Sequence, residues 1–221
     1  QHPPPQGQPG CDSPPLLVNA TLQRAKEVLP SPAFVMVLGD VVRHYADAMD
    51  KRPVDVMRDV MSQVHEAYPQ FQVPASAPVS STNERGGILG VLGNNDMPTD
   101  YFLNVTERPN RYLQEASQAW ATVLFPDERD RFASQGGYWR EVLPKVIVVV
   151  LNTVIYSVEH KPHSTADGDP LDQFAWMQSV LHRVRSRKAT AYIIGHIAPT
   201  IADYQKRSMW HAGYVRRYVQ L

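Results

Sequence analysis

Short apolar runs alternate along the chain with longer stretches in which apolar residues recur at helical spacing. The short runs predict strands at 34–38, 88–92, 137–142, 146–151 and 191–194. The longer stretches predict helices at 16–29, 54–68, 110–124, 171–187 and 210–221. This alternation predicts the α/β fold class, in which functional residues collect where the ends of strands meet.

Three of the predicted strands end in a glycine followed by polar residues that can bind a metal ion. They end in Gly39-Asp40, in Gly93-Asn94-Asn95-Asp96 and in Gly195-His196. We expect these polar side chains to face one another across a single crevice. The alternative is that they are ordinary turn residues and that His196 is a core histidine with satisfied hydrogen bonds.

The chain has 221 residues, which is enough for one well-filled domain. Residues 1–15 hold six prolines and two glycines and predict an extended lead-in. Residues 16–221 are expected to form the domain itself. Within it, residues 73–87 are rich in proline, serine, alanine and glycine and predict a long surface loop.

The charges of the chain balance. Lys and Arg together number 22, as do Asp and Glu, so the formal net charge is zero. Such a balance provides no general field that would hold nucleic acid, so no nucleic-acid partner is expected. The longest apolar run, 146–151, is far too short to span a bilayer, so no membrane span is expected within this sequence.

Several features suggest a lumenal or extracellular setting. The chain begins at Gln1 without a methionine or a signal peptide, and we interpret it as a piece of something longer. Cys11 is the single cysteine, so a disulfide partner is expected to lie elsewhere, before Gln1. Asn19-Ala20-Thr21 and Asn104-Val105-Thr106 fit the acceptor pattern for N-glycosylation.

The three strand ends offer different ligand atoms. Asp40 supplies an anionic oxygen that can bridge two cations, Asn94 an amide oxygen and His196 an imidazole nitrogen. This mixed oxygen and nitrogen set suits Zn, Mn, Fe or Co better than Ca. Two such cations about 3.5–4 Å apart could activate water and clamp a phosphoryl group for in-line displacement.

A second histidine pair lies in the predicted loop after the strand at 146–151. His160 and His163 are three residues apart and are followed by Asp167, Gly168 and Asp169. We interpret the two histidines as solvent-exposed bystanders, with metal binding as the alternative.

The strand-end motifs, in this order, resemble those of the calcineurin-like metallophosphoesterases. Further stretches are similar to the endopolyphosphatases in particular: Cys11-Asp12-Ser13-Pro14, Leu17-Val18-Asn19, Arg43-His44, Leu151-Asn152-Thr153 and Gly195-His196-Ile197-Ala198-Pro199. The acid sphingomyelinase-like phosphodiesterases are close relatives of that group. The similarity runs from Cys11 nearly to Leu221.

The resemblance implies a four-layer αββα sandwich with two divalent metal ions at the strand ends. It implies Asp40 as the bridging ligand, Asn94 and His196 as ligands of the second metal, and His44 and Arg43 as contacts to substrate phosphate. The family also has an Asp-x-His motif on its first strand and a Gly-His-x-His-like motif near its end, and neither occurs in this sequence. The sandwich is therefore expected to be incomplete at both ends, to bind metals poorly and to be inactive by itself.

The implied enzyme is lumenal, in a vacuole, lysosome or acidocalcisome-like compartment, with secretion as the alternative. Its implied substrate is inorganic polyphosphate, cut internally by a metal-bridged hydroxide, with His44 and Asn95 in catalytic positions. Most relatives have a histidine where this chain has Asn95, and an amide cannot supply a proton to a leaving group.

Asn95 bears on the choice of substrate. An alkoxide leaving group has a conjugate acid of pKa near that of water, about 15.7, and needs a general acid. A phosphate leaving group, with a pKa of roughly 6, can depart unprotonated. Asn95 therefore favours anhydride cleavage over ester cleavage.

The sequence is also compatible with two other functions. One is a phosphodiesterase that acts on sphingolipids or nucleotides with the same metals. The other is a non-catalytic interaction module that keeps the sandwich but has lost its metals, which the two absent motifs would support.

Overall fold

A computed structural model describes residues 5–71, 73, 86–163, 168–202 and 206–221. Its helices and strands follow one another in the order α1 Pro15–Val28, β1 Phe34–Val37, α2 Pro53–Ala67, β2 Gly87–Gly90, α3 Arg111–Ala119, α4 Pro126–Gln135, β3 Tyr138–Leu143, β4 Val146–Val150, α5 Gln173–Ser186, β5 Thr190–Ile194 and α6 Ala212–Val219. This is an α/β chain, as the alternation of patterns predicted.

The strands form two small sheets. β1 and β2 pair in parallel, with Phe34 opposite Gly87 and Val37 opposite Gly90. In the second sheet β3 pairs with β4 antiparallel, and β4 pairs with β5 in parallel. All five strands were predicted at or within a few residues of their observed positions, and β4 is buried on both faces as its unbroken apolar run indicated.

Two buried side chains of β3 join the two sheets. The Tyr138 hydroxyl accepts a hydrogen bond from the Gly90 backbone N–H of β2 at 2.9 Å. The Arg140 guanidinium donates to the Ile88 carbonyl of β2 at 3.1 Å and to the Val123 carbonyl at 2.8 Å. Arg140 also forms an ion pair with Glu128 of α4, with Nε at 2.8 Å from Oε1. The relative position of the two sheets therefore depends on polar contacts as well as on apolar packing.

The helices differ from prediction at two places. The predicted helix at 110–124 stops at Ala119 and continues as turns, and α4 was not predicted. The sequence of α4 is mostly polar, and Phe132 is its one large apolar residue, so it shows little helical periodicity. Its start nevertheless carries two signals, Pro126 in the first turn and Glu128, whose carboxylate accepts from the Phe125 backbone N–H at 3.0 Å.

Two further predictions concern the segment before α1 and the segment before β2. α1 begins at Pro15, at the end of the predicted lead-in. Most of the loop predicted at 73–87 lies outside the described residues, and β2 already begins at Gly87. As for a membrane span, no helix in the described segments has both the length and the apolar character to cross a bilayer.

Candidate metal centre

The carboxyl ends of β1, β2 and β5 meet, although β5 belongs to a different sheet from the other two. Asp40 follows β1, Asn94 follows β2 and His196 follows β5. The His196 Nε2 atom lies 3.1 Å from Asn94 Oδ1 and 3.3 Å from Asp40 Oδ2. The structure thus brings together the three residues that the sequence suggested as metal ligands.

Two glycines allow the loops after β1 and β2 to touch. Gly39 has φ +92°, and a Cβ atom there would lie 2.6 Å from the Gly93 backbone nitrogen. A Cβ atom on Gly93 would lie 2.2 Å from Asp40 Oδ1. Both positions exclude a side chain, because Cβ atoms do not approach other heavy atoms that closely. The Gly-Asp and Gly-Asn steps therefore have a steric reason as well as a chemical one.

Asp96 connects the same two loops through hydrogen bonds to their backbones. Its carboxylate is completely buried and accepts from the backbone N–H groups of Asp40 at 2.9 Å, Val42 at 3.0 Å and Gly93 at 2.8 Å. Burial raises the pKa of Asp96 to about 6, against the opposing effect of these donors. The sequence placed Asp96 in the motif but indicated no role for it.

Hydrogen bonds fix the orientation of the Asn94 and His196 side chains. The Asn94 amide Nδ2 donates to Asp100 Oδ1 at 2.8 Å, so the Asn94 oxygen is the atom that faces His196. The His196 Nδ1 atom lies 2.8 Å from the Leu38 carbonyl oxygen. A carbonyl can only accept, so Nδ1 carries the hydrogen.

This orientation leaves His196 Nε2 facing two oxygen atoms. In the neutral ring its lone pair would point at the oxygens of Asp40 and Asn94, which repel it. A positive charge at this point removes the repulsion, either as a proton on Nε2 or as a metal ion. Burial lowers the pKa of His196, but the hydrogen bonds to Asp40 and Leu38 outweigh it, and the pKa lies above its ordinary value.

The donors fit part of a divalent metal site. A carboxylate, an amide oxygen and an imidazole whose other nitrogen is bound to a carbonyl are a usual ligand set for a transition metal. Within the described segments, no three side chains of His, Cys, Asp or Glu come together as a metal cluster, so the third donor beside Asp40 and His196 is the amide oxygen of Asn94. This partial set corresponds to the predicted second metal, whereas the predicted first metal has Asp40 alone.

Asn95 has a contact that the sequence did not predict. Its side chain is 5% exposed, and its Nδ2 donates to Asp40 Oδ2 at 3.0 Å. Its backbone N–H donates to the other Asp40 oxygen, also at 3.0 Å. Asn95 therefore orients the Asp40 carboxylate.

A pocket of about 860 Å³ opens beside Asp40 and Asn95. Arg43 and His44, the two residues expected to contact phosphate, both line it. The Arg43 Nε donates to the His44 carbonyl at 3.0 Å, and the His44 side chain is 66% exposed. Both cationic side chains are thus available to an anion in the pocket.

The interpretation of His160 as a solvent-exposed bystander is wrong. His160 is completely buried, and its Nε2 bonds to the Leu103 carbonyl at 2.9 Å. The polar sequence around it concealed this, because its partner lies far away along the chain. His163 is exposed as expected, and Asp167 lies outside the described residues.

Thr153 supports the loop that carries His196. The sequence indicated Thr153 only as part of the stretch Leu151-Asn152-Thr153. A Cβ atom on Gly195 would lie 2.3 Å from Thr153 Cγ2, and the Thr153 hydroxyl accepts from the Ile197 backbone N–H at 2.8 Å. Asp100, which orients Asn94, had no signal in the sequence at all.

Comparison with known proteins gives relatives along nearly the whole chain. "Sphingomyelinase phosphodiesterase D" of Dictyostelium discoideum is 25% identical over 209 residues, which cover 94% of this chain and 43% of that protein. "Acid sphingomyelinase-like phosphodiesterase 3b" of Homo sapiens is 26% identical, over 98% of this chain and 45% of that protein. The "Endopolyphosphatase" of Neurospora crassa is 26% identical, over 92% of this chain and 29% of that protein.

The chain is similar to proteins named endopolyphosphatase and acid sphingomyelinase-like phosphodiesterase, at 25–28% identity over most of its length. Both groups are calcineurin-like metallophosphoesterases, which confirms the resemblance inferred from the motifs. The chain spans less than half the length of these relatives. No family model matches it.

Proposed function

We propose that this chain carries part of a two-metal hydrolase centre that cleaves internal phosphoanhydride bonds of inorganic polyphosphate. The observation that supports it best is the orientation of His196, whose Nε2 faces the oxygens of Asp40 and Asn94 while Nδ1 donates to a carbonyl. A metal ion among the three side chains would be bound by the Nε2 lone pair and by both oxygens at once. The proposal includes an αββα sandwich that is incomplete in this chain.

Each residue of the centre has a role in this proposal. Asp40, Asn94 and His196 would hold the second of two divalent ions, and Asp40 would also be a ligand of the first. Zn, Mn, Fe or Co would suit the donors, and once bound, such ions would activate water and offset the charge of the phosphates. Asn95 keeps both Asp40 oxygens oriented.

Arg43 and His44 bind the substrate in this proposal. Both line the pocket next to Asp40, where the phosphates on either side of the scissile bond would lie. Cationic donors placed where charge accumulates stabilise the transition state of phosphoryl transfer. The zero net charge of the chain does not oppose a polyanion, because bound metals would add positive charge in the cleft.

The proposed lumenal location rests on the two glycosylation patterns and on Cys11. Asn19 of the first glycosylation pattern is exposed on α1, and Asn104 of the second is partly exposed. Together with the lone exposed Cys11, they favour a lumenal place such as a vacuole, lysosome or acidocalcisome-like organelle, or secretion.

The competing function is a phosphodiesterase, which the names of the sphingomyelinase-like relatives favour. The two reactions differ in the leaving group, and Asn95 is the residue that distinguishes them. Without a histidine at this position the chain lacks one candidate general acid for expelling an alkoxide.

Exchange of Asn95 for histidine tests the substrate class. In the metal-loaded full-length protein, the parent should hydrolyse long-chain polyphosphate much faster than an aryl phosphodiester. Asn95→His should raise the ratio of diester to polyphosphate turnover by about tenfold or more, because the imidazole can donate a proton. The ratio is the readout, since losing the amide contact to Asp40 is expected to slow both reactions.

The control is Gln118→His, which adds a histidine at an exposed position of α3 and should leave the ratio unchanged. An Asn95→His ratio equal to that of the parent would count against the leaving-group argument. A parent protein that hydrolyses the diester but not polyphosphate would favour the phosphodiesterase. A parent that binds no metal and cleaves neither substrate would favour the non-catalytic module.

A further inference from the structure

His44 has a carboxylate partner from a distant part of the chain. Asp12 lies in the short irregular segment just before α1, and His44 lies in the loop after β1. The His44 Nδ1 atom is 2.7 Å from Asp12 Oδ1, and the His44 backbone N–H donates to the same oxygen at 3.4 Å. Two contacts therefore hold the histidine against one carboxylate oxygen.

The contact determines which nitrogen of His44 is available. An ionised carboxylate can only accept, so Nδ1 carries a hydrogen and Nε2 is the nitrogen left for a ligand. Nε2 has no hydrogen-bond partner in the part of the chain that the structure describes. Asp12, Asp40 and His44 line the same pocket.

The charges around His44 favour its protonated form. The hydrogen bond that His44 donates to Asp12 is the largest effect on the pKa of His44 and raises it. Slight burial lowers this pKa, and the charges of Asp12, Asp40 and Asp100 raise it further. The same hydrogen bond lowers the pKa of Asp12. The Arg43 guanidinium is a cation near this pair, and its Nε lies 3.8 Å from Asp12 Oδ2.

We propose that Asp12 is a positioning residue for substrate binding at the candidate centre: it holds His44 turned so that Nε2–H donates to a phosphate oxygen of the substrate. The inference rests on the proposed function and adds a residue from outside the strand ends. The Asn95 side-chain amide already donates to Asp40. His44 lines the same pocket, and its imidazole can offer a charged donor to the substrate.

Replacing Asp12 with asparagine tests the coupling in two ways. In the metal-free full-length protein, nitrogen NMR of the imidazoles should show a lower pKa for His44 in Asp12→Asn than in the parent, because the carboxylate charge is gone. In the metal-loaded protein, the pH at which polyphosphate turnover declines should move downward in the same variant. At neutral pH the loss of turnover should reach about tenfold.

The matched control is Asp59→Asn, which removes a carboxylate from the same pocket but one that pairs with Lys51 at 2.8 Å. It should change neither the pKa of His44 nor the pH profile of turnover. Asp12→Glu keeps a carboxylate and should recover a large part of the turnover. In a His44→Ala background, Asp12→Asn should cause no further loss.

Several results would overturn the inference. An unchanged pKa of His44 in Asp12→Asn would show that the carboxylate does not control the imidazole. A further loss of turnover on adding Asp12→Asn to His44→Ala would show that Asp12 acts through something else. If the protein cleaves no phosphate substrate, the proposed function fails, and the NMR titration still decides whether Asp12 controls His44.

Discussion

Asp40→Asn is expected to remove nearly all hydrolytic activity of the metal-loaded full-length protein. Asp40 contributes the single negative charge of the candidate ligand set, and it is the residue that would touch both metals. Loss of residues that only support metal ligands already costs about ten- to a hundredfold in affinity or activity. Removal of the bridging carboxylate should therefore lower turnover by more than about a hundredfold.

The same substitution should leave the fold in place. The Asp40 side chain is 30% exposed, and the oxygen of an asparagine can still accept the hydrogen bond from the Asn95 backbone N–H, so that only the contact with the Asn95 side chain is lost. Asp47→Asn, at an exposed position of the short 3-10 turn Ala46–Ala48, is the matched control and should retain full activity. Turnover of polyphosphate and thermal unfolding should be measured for both. An active Asp40→Asn protein would rule out Asp40 as a bridging ligand.

Arg140→Met is expected to give the largest loss of stability. It leaves Glu128 as an unpaired carboxylate at 3% exposure and removes the donor from the Ile88 and Val123 carbonyls. Breaking a buried ion pair by removing one partner costs about 3–5 kcal/mol. Because Arg140 joins β3 to β2, the loosened contact should also reduce metal affinity at the centre, which takes ligands from both sheets.

A second substitution separates charge from packing. Glu128→Gln combined with Arg140→Met removes both charges, so the double variant should be more stable than Arg140→Met alone. Arg24→Met breaks the exposed pair with Glu27 and should change stability little. Denaturant unfolding measures all of these variants. Equal stability of Arg140→Met and Arg24→Met would show that the buried pair does not hold the sheets together.

The sequence predicted the elements best where one type of residue fills them. β4 is an unbroken run of Val and Ile, and such a run is stable only between two covered faces. α4 was missed because its helix formation depends on end signals and on Phe132 packing between Trp120 and Tyr138. That contact joins three separate segments, which no local pattern reveals.

The candidate site likewise combines residues that the sequence predicted with residues that it did not. The meeting of Asp40, Asn94 and His196 follows from a general rule about strand ends, even though the strands belong to two sheets. The residues that hold the site in place could not be predicted, because each acts through a contact made only in the folded chain. Asp96 accepts from the Asp40 backbone, Asp100 accepts from Asn94, and Asp12 lies against His44. His160 is the opposite case, in which a polar neighbourhood concealed a buried side chain.

Anomalous X-ray diffraction from crystals of the full-length protein grown with Mn²⁺ tests the central claim most directly. The account predicts a manganese peak within bonding distance of an Asp40 carboxylate oxygen, Asn94 Oδ1 and His196 Nε2. Nδ1 of His196 should keep its bond to the Leu38 carbonyl. Strong manganese peaks elsewhere, with His196 Nε2 still directly bonded to Asn94, would contradict the assignment of these three residues as a metal centre.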